Sequence, residues 1–149
     1  AANITEQVAD CQTGPNLERT DVKFAEDMAD QRFAIRAYDN GEVTVSGPEG
    51  AGQRVLTESF VISREVLLPE WGPREVAEVT PGHLEPVLEQ GPEVVLLGSG
   101  NRLRFPEPAV QRLLIEHQVG LETMDTAAAC RTFNLLAGEG RLVVAALIL

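Results

Sequence analysis

The sequence predicts an α/β fold, and three stretches carry that expectation. Glu93-Val94-Val95-Leu96-Leu97 is an apolar run followed by a helical pattern to His117 and a second strand at 119–124. Residues 126–137 form a capped, Ala-rich helix leading into the apolar segment 141–149. Residues 33–46 alternate about Asp39-Asn40-Gly41. A strand, a helix and a returning strand build a parallel pair, because parallel partners need a crossover connection. Alternation about Asn-Gly builds a hairpin, since both residues tolerate the positive φ angles of a type I′ turn.

In chain order, residues 1–31 are polar, acidic and only faintly periodic. They are expected to be a flexible acidic leader whose removal shifts the melting temperature only slightly. A single α/β domain is expected over 32–149. The hairpin strands are expected near 33–38 and 42–46. Gly47-Pro48-Glu49-Gly50-Ala51-Gly52 then breaks the pattern and reads as an exposed loop. Ser59–Ile62 and Val66–Leu68 read as strand pieces, the first near 58–63, ending at Pro69-Glu70-Trp71-Gly72. Trp71 is expected to close one end of the core.

Thr80-Pro81 opens a helical region expected near 84–90, because Pro86 fits only a first helical turn. The run 93–97 reads as a strand buried on both faces. Gly98-Ser99-Gly100 turns the chain, and a helix near 107–117 directs Val110, Leu113 and Leu114 inward. A strand near 119–123 follows. The next helix takes Asp125 or Thr126 as its N-cap, with Gly138 and Gly140 as its stop. At about 100° per residue, Ala129, Cys130, Phe133, Leu136 and Ala137 share one apolar arc. Ala128 and Leu135 extend that arc, leaving Ala127, Arg131 and Asn134 as a narrow polar stripe. The final strand is expected at 141–148.

A length of 149 residues suits one domain, with 44% apolar and 23% charged residues. The net charge of −11 argues against nucleic acid and anionic membrane surfaces, both of which require a concentrated basic face. No apolar run approaches the roughly 20 residues of a membrane span. No basic segment followed by an apolar core stands near Ala1, so no secretory signal is visible, although one cleaved earlier would leave no trace. Cys11 and Cys130 form no CxxC pair, and a reduced cytosolic protein is the simpler reading. His83 and His117 have no second ligand at the spacing of a zinc site, so neither a metal nor a cofactor is expected.

The candidate binding residues are Gly98, Ser99, Gly100, Thr126, Arg131 and Asn134. Arg131, Asn134 and the first N–H groups of the 126–137 helix suit an anion, because a helix N-terminus carries partial positive charge. Gly98-Ser99-Gly100 would form the opposite wall if it stands at the carboxyl end of a neighbouring strand. The alternative is structural. Arg131 then clamps the fold through Glu122 or Glu139, Asn134 ties down a loop, and the Gly-Ser-Gly segment is a tight turn. Glu122 and Asp125 are expected to face solvent or Arg131 rather than to act as an acid–base pair. Cys130 with His117 is formally a nucleophile and base, but a cysteine on an apolar arc is expected to be inert packing. No catalytic residue is assigned.

The C-terminal block carries a further signal. Glu122-Thr123-Met124-Asp125-Thr126-Ala127-Ala128-Ala129-Cys130-Arg131-Thr132-Phe133-Asn134, then Leu136-Ala137-Gly138-Glu139-Gly140-Arg141, resembles the archaeal Mth-type domain. This small family of unknown function also has bacterial and mitochondrial members. Among them are the third mitochondrial assembly factor for respiratory complex I and an adipogenesis-associated protein. Tyr38 in the hairpin, Trp71 after Pro69 and Leu97-Gly98-Ser99-Gly100 extend the likeness to about residues 32–149. Ser99 stands where the family often has Thr, and Phe133 where Tyr is common, so no phenol chemistry is expected at 133.

The resemblance implies a three-layer α/β domain around a mixed five-stranded sheet with one antiparallel strand. It also implies a non-enzymatic interaction or assembly factor, with respiratory-complex subunits as candidate partners. The alternative is a small anionic-ligand binder, or an enzyme, using the Ser99/Arg131/Asn134 region. The location expected is the cytoplasm of a bacterium or archaeon, any contact with membrane complexes being made through a partner.

Overall fold

The computed structural model describes residues 32–48 and 52–149, and Phe33–Leu149 form one compact unit. The expected leader lies outside the described residues. Strands β1 (Ala34–Asp39) and β2 (Glu42–Ser46) form the expected antiparallel hairpin. Asn40 and Gly41 take φ values of 49° and 78°, as a type I′ turn requires. A third strand, β3 (Gln53–Leu56), pairs with β2 to complete a three-stranded antiparallel sheet. The sequence pattern did not mark this strand, because Leu56 is its only buried residue.

The second sheet has five strands: β4 (Phe60–Ile62), β5 (Leu67–Leu68), β6 (Val94–Ser99), β7 (Gly120–Met124) and β8 (Val143–Ile148). Their order is β5-β4-β8-β6-β7. β6 is parallel to both β7 and β8, whereas β4 runs antiparallel to β5 and β8. One strand thus opposes the other four, as the resemblance implied.

Every residue of β6 and β8 is buried, and their side chains alternate between two apolar cores. Val94, Leu96, Val143, Ala145 and Leu147 join one core; Val95, Leu97, Val144, Ala146 and Ile148 join the other. This is the two-face burial behind their unbroken apolar sequence.

Helix α1 is one short turn, Glu85–Leu88, continuing a 3₁₀ turn at Pro81–Leu84. Pro86 therefore sits in a helical first turn, where its missing N–H costs nothing. Helix α2 (Pro108–Glu116) packs with α1 and Trp71 in the second core. The Trp71 indole N–H donates to the His83 carbonyl at 2.8 Å, closing that end.

Helix α3 (Thr126–Gly138) fills the other face together with the three-stranded sheet. Asp125 is its N-cap, accepting from the Ala128 N–H at 2.8 Å. At the other end, Arg141 N–H reaches Leu136 O and Gly140 N–H reaches Ala137 O, with Gly140 at φ 82°. This Schellman arrangement stops the helix. Arg64 adds a guanidinium hydrogen bond to Ala137 O at 2.8 Å, favourable at the negative end of the helix.

One face of α3 departs from the expected arc. Leu135 is 61% exposed, so the helix turns its Arg131–Asn134–Leu135 side outward rather than burying itself nearly all round.

Candidate functional site

The two crossovers around β6 pass on opposite faces of the sheet, since α2 belongs to one core and α3 to the other. The chain therefore leaves β6 and β7 in opposite directions, which opens a crevice at their carboxyl ends, the usual ligand position in an open α/β sheet. Here hydrogen bonds tie the segments that flank it to one another. Thr126 N–H donates to Gly100 O at 2.8 Å, and Gly100 N–H donates back to Thr126 Oγ1 at 2.8 Å. The Thr126 hydroxyl donates to Ile148 O at 2.5 Å, joining α3 to the end of β8.

Ser99 Oγ lies 2.7 Å from Arg102 O and 3.1 Å from Met124 O, and accepts the Arg104 N–H at 3.1 Å. Its single proton serves the two carbonyls. Gly98 lets α3 approach: a Cβ there would meet Leu147 Cδ2 at 2.8 Å and Thr126 Oγ1 at 3.0 Å.

Four of the six candidate residues, Gly98, Ser99, Gly100 and Thr126, thus meet at one junction. Thr126 is 0% exposed there. Its hydroxyl bonds are internal, and leaving either of its backbone partners unpaired would cost about 1–3 kcal/mol. The anion site anticipated at the helix N-terminus is likewise largely occupied. Thr126, Ala128 and Ala129 N–H groups bond to Gly100 O, Asp125 Oδ1 and Asp125 O respectively.

Arg131 and Asn134 stand elsewhere, along a shallow groove of ≈ 190 Å³ between β1 and α3. Asn134 uses its amide as a peptide mimic on the edge of β1. Its Nδ2 donates to Ile35 O at 2.6 Å, and its Oδ1 accepts from Ile35 N–H at 3.1 Å. The tethered element is a strand rather than a loop.

The clamp expected at Arg131 is not formed: Arg131 is exposed and, among the described residues, makes no ion pair with Glu122 or Glu139. Glu139 is eight residues further along, about 12 Å down the axis, beyond one side chain's reach. Glu122 is exposed on the edge strand β7. An ion pair among the described residues links Arg141 Nε to Glu93 Oε1 at 2.9 Å, on the surface.

Cys130 is 4% exposed, and burial pushes its thiol up to about 11, opposed only by the neighbouring Arg131 charge. Such a thiol is neutral and unreactive at ordinary pH. His117 lies exposed just beyond α2, on the opposite face of the sheet, with Nδ1 2.9 Å from Leu113 O. The two form no nucleophile–base pair.

A larger recess of ≈ 900 Å³ opens beside the junction, at the carboxyl ends of β6 and β8. Ser99 and Gly100 form part of its floor, while Tyr38, Arg74, Asn101 and Arg104 furnish its walls. Tyr38 and Ala127 also line the groove of Arg131, so the two depressions adjoin. Burial raises the Tyr38 phenol, as do Cys130 once its thiol ionises at alkaline pH and the charges of Asp125 and Asp39, so the phenol keeps its proton. Glu75 and Asp125 also line the recess, so its two arginines are balanced by two carboxylates. Sequence inspection did not single out Arg74, Asn101 or Arg104. Position just past the carboxyl end of β6 was the available signal for the last two.

Comparison with known proteins fits this geometry. A model of the protein family of unknown function DUF498/DUF598 matches residues 35–148. The chain belongs to that family. It is 29% identical to mouse NADH dehydrogenase [ubiquinone] 1 alpha subcomplex assembly factor 3, covering 88% of this chain and 68% of the relative. A Xanthomonas campestris protein solved by NMR is 36% identical with a TM-score of 0.69, over 80% of this chain and 86% of that one. A Bordetella pertussis protein described as an Mth938-like domain is 25% identical with a TM-score of 0.66, over 94% and 92%. The archaeal Mth-type resemblance is therefore established. Among the described residues no helix is long and apolar enough to cross a membrane.

Proposed function

We propose that this protein acts by binding another protein, as a non-enzymatic interaction or assembly factor. The observation that carries the reading is similarity across 88% of the chain to a protein named as an assembly factor. The use of polar side chains supports it. Ser99, Asp125, Thr126 and Asn134 are each bonded to backbone within the fold, which leaves them little capacity for a substrate. The net charge of −11 favours a partner with a basic patch and a salt-sensitive encounter. A cytoplasmic location in a bacterium or archaeon, with contact to membrane complexes through the partner, completes the reading.

Affinity purification of the tagged full chain from its native host, with the partners identified, tests it. Stoichiometric capture of specific protein subunits that weakens with added salt is the expected outcome. Turnover of a defined metabolite, lost in folded Ser99, Arg131 or Asn134 variants, would overturn it in favour of an enzyme.

A further inference from the structure

The loop between β6 and α2 shows apolar side chains to solvent on a backbone that is held from below. Phe105 is 66% exposed and Leu103 is 53% exposed. Arg102 and Arg104 alternate with them, and no acid stands between Asn101 and Pro106, although the chain has 23 acidic and 12 basic residues. Beneath the loop, the buried Ser99 hydroxyl bonds Arg102 O and Arg104 N–H. At its far end Pro106 is buried, and its carbonyl accepts from Gln111 Nε2 at 3.2 Å. Both ends are therefore fixed while the tips project. Arg104 and Asn101 also reach the wall of the large recess, where Glu75 and Asp125 offset Arg104 and Arg74, so the unbalanced positive charge lies on the exposed loop itself.

We infer that the Asn101–Pro106 loop is a docking element for an acidic segment of a protein partner that carries large apolar side chains. The inference rests on the reading that the protein works by binding another protein, and names the chemistry of the contact. Phe and Leu offer apolar anchors, and Arg is among the residues that dominate binding energy at interfaces. A backbone already ordered by Ser99 loses little freedom on binding, which favours affinity.

The charge sign separates this partner from other anions. Arg102 and Arg104 are the loop's own charges, and at physiological salt charges further off are screened beyond about 8 Å, so a short acidic segment seated on the loop tips meets these two directly. An extended anionic membrane or nucleic acid would also approach the rest of a molecule of net charge −11 and be repelled. Bulk charge and loop act at different ranges. The first steers a partner with a basic face; the second fixes where its acidic, apolar segment seats.

The test measures binding of the full chain to a short fluorescent peptide of Glu and Asp with Leu and Phe anchors. A lysine counterpart, an acidic peptide without apolar residues, and phosphatidylglycerol vesicles are run beside it. The acidic, apolar peptide should bind more tightly than either control peptide. Leu103→Ala with Phe105→Ala should weaken it by about tenfold or more. Arg102→Glu with Arg104→Glu should do the same with an unchanged melting temperature.

Absent binding of that peptide, binding indifferent to the loop variants, or a tighter lysine peptide would overturn the inference. Vesicle binding lost with Phe105→Ala would replace the protein segment with a membrane. Partner capture from the native host separates the two levels. A partner held equally by wild type and loop variants defeats the docking loop alone; no partner for wild type defeats the binding reading itself.

Discussion

The Ser99–Gly100–Thr126 junction and the loop it supports lie side by side and use their side chains in opposite ways. In the junction, polar groups point inward and bond to backbone, so that β6, β8 and the start of α3 become one unit. In the loop, Leu103 and Phe105 point outward although apolar. Polar residues grouped at strand ends resemble a binding site in sequence, and here their hydrogen bonds also join neighbouring segments of backbone. Apolar residues resemble core in sequence, yet here they form the accessible surface. Stability should therefore depend on the junction, and recognition on the loop.

The largest effect should come from Thr126→Val, which keeps shape but leaves Gly100 N–H and Ile148 O without their hydroxyl partner. Chemical denaturation should show a loss of roughly 2–4 kcal/mol. A loss under about 0.5 kcal/mol, the size of an ordinary surface change, would remove the distinction between the two regions.

Alkaline titration sharpens the same point for Cys130. Its thiol is raised from an ordinary 9.0 to about 11, so the folded state keeps the proton longer than the unfolded one. Stability is full below pH 9 and falls as pH rises towards 11. The raised Tyr38 phenol adds a fall of the same sign. In Cys130→Ala, denaturation midpoints across that window should fall less steeply. An unchanged slope would mean the thiol is not desolvated.

Asn134→Ala removes two hydrogen bonds to Ile35 at a partly buried edge and should cost about 1 kcal/mol, read as a lower denaturation midpoint. Arg131→Ala should change stability by no more than about 0.5 kcal/mol, since the side chain is exposed and unpaired with Glu122 and Glu139. A cost of several kcal/mol would restore the clamp.

How far the sequence could be read follows from the range of each interaction. β6 and β8 were legible because two-sided burial writes an unbroken apolar run, and α3 because Asp125 and Gly140 mark its ends. The hairpin was legible in Asn40-Gly41. β3 was not, because a strand with three exposed residues has no pattern. The strand order came from the family resemblance, since local periodicity does not encode which strands become neighbours.

Of the candidate site, the structure brings Ser99, Gly100 and Thr126 together through hydrogen bonds. The hydrogen bonds from this group to Met124 and Ile148 and between Gly100 and Thr126 span 22–26 residues, and no spacing in sequence announces them. Arg131 was misjudged because nearness in sequence was taken for nearness along a helix, where partners sit three or four residues apart. The outward Leu103, Phe105 and Leu135 could not be told from core residues without the fold.

The most direct measurement follows Phe105→Ala and Thr126→Val side by side, recording melting temperature and the Kd of the partner complex below both transitions. The expected result is a double dissociation: Phe105→Ala melts like wild type and binds about tenfold or more weakly, whereas Thr126→Val melts lower and binds like wild type. Loss of partner binding in folded Thr126→Val with full binding by Phe105→Ala would contradict it, and would return function to the polar junction.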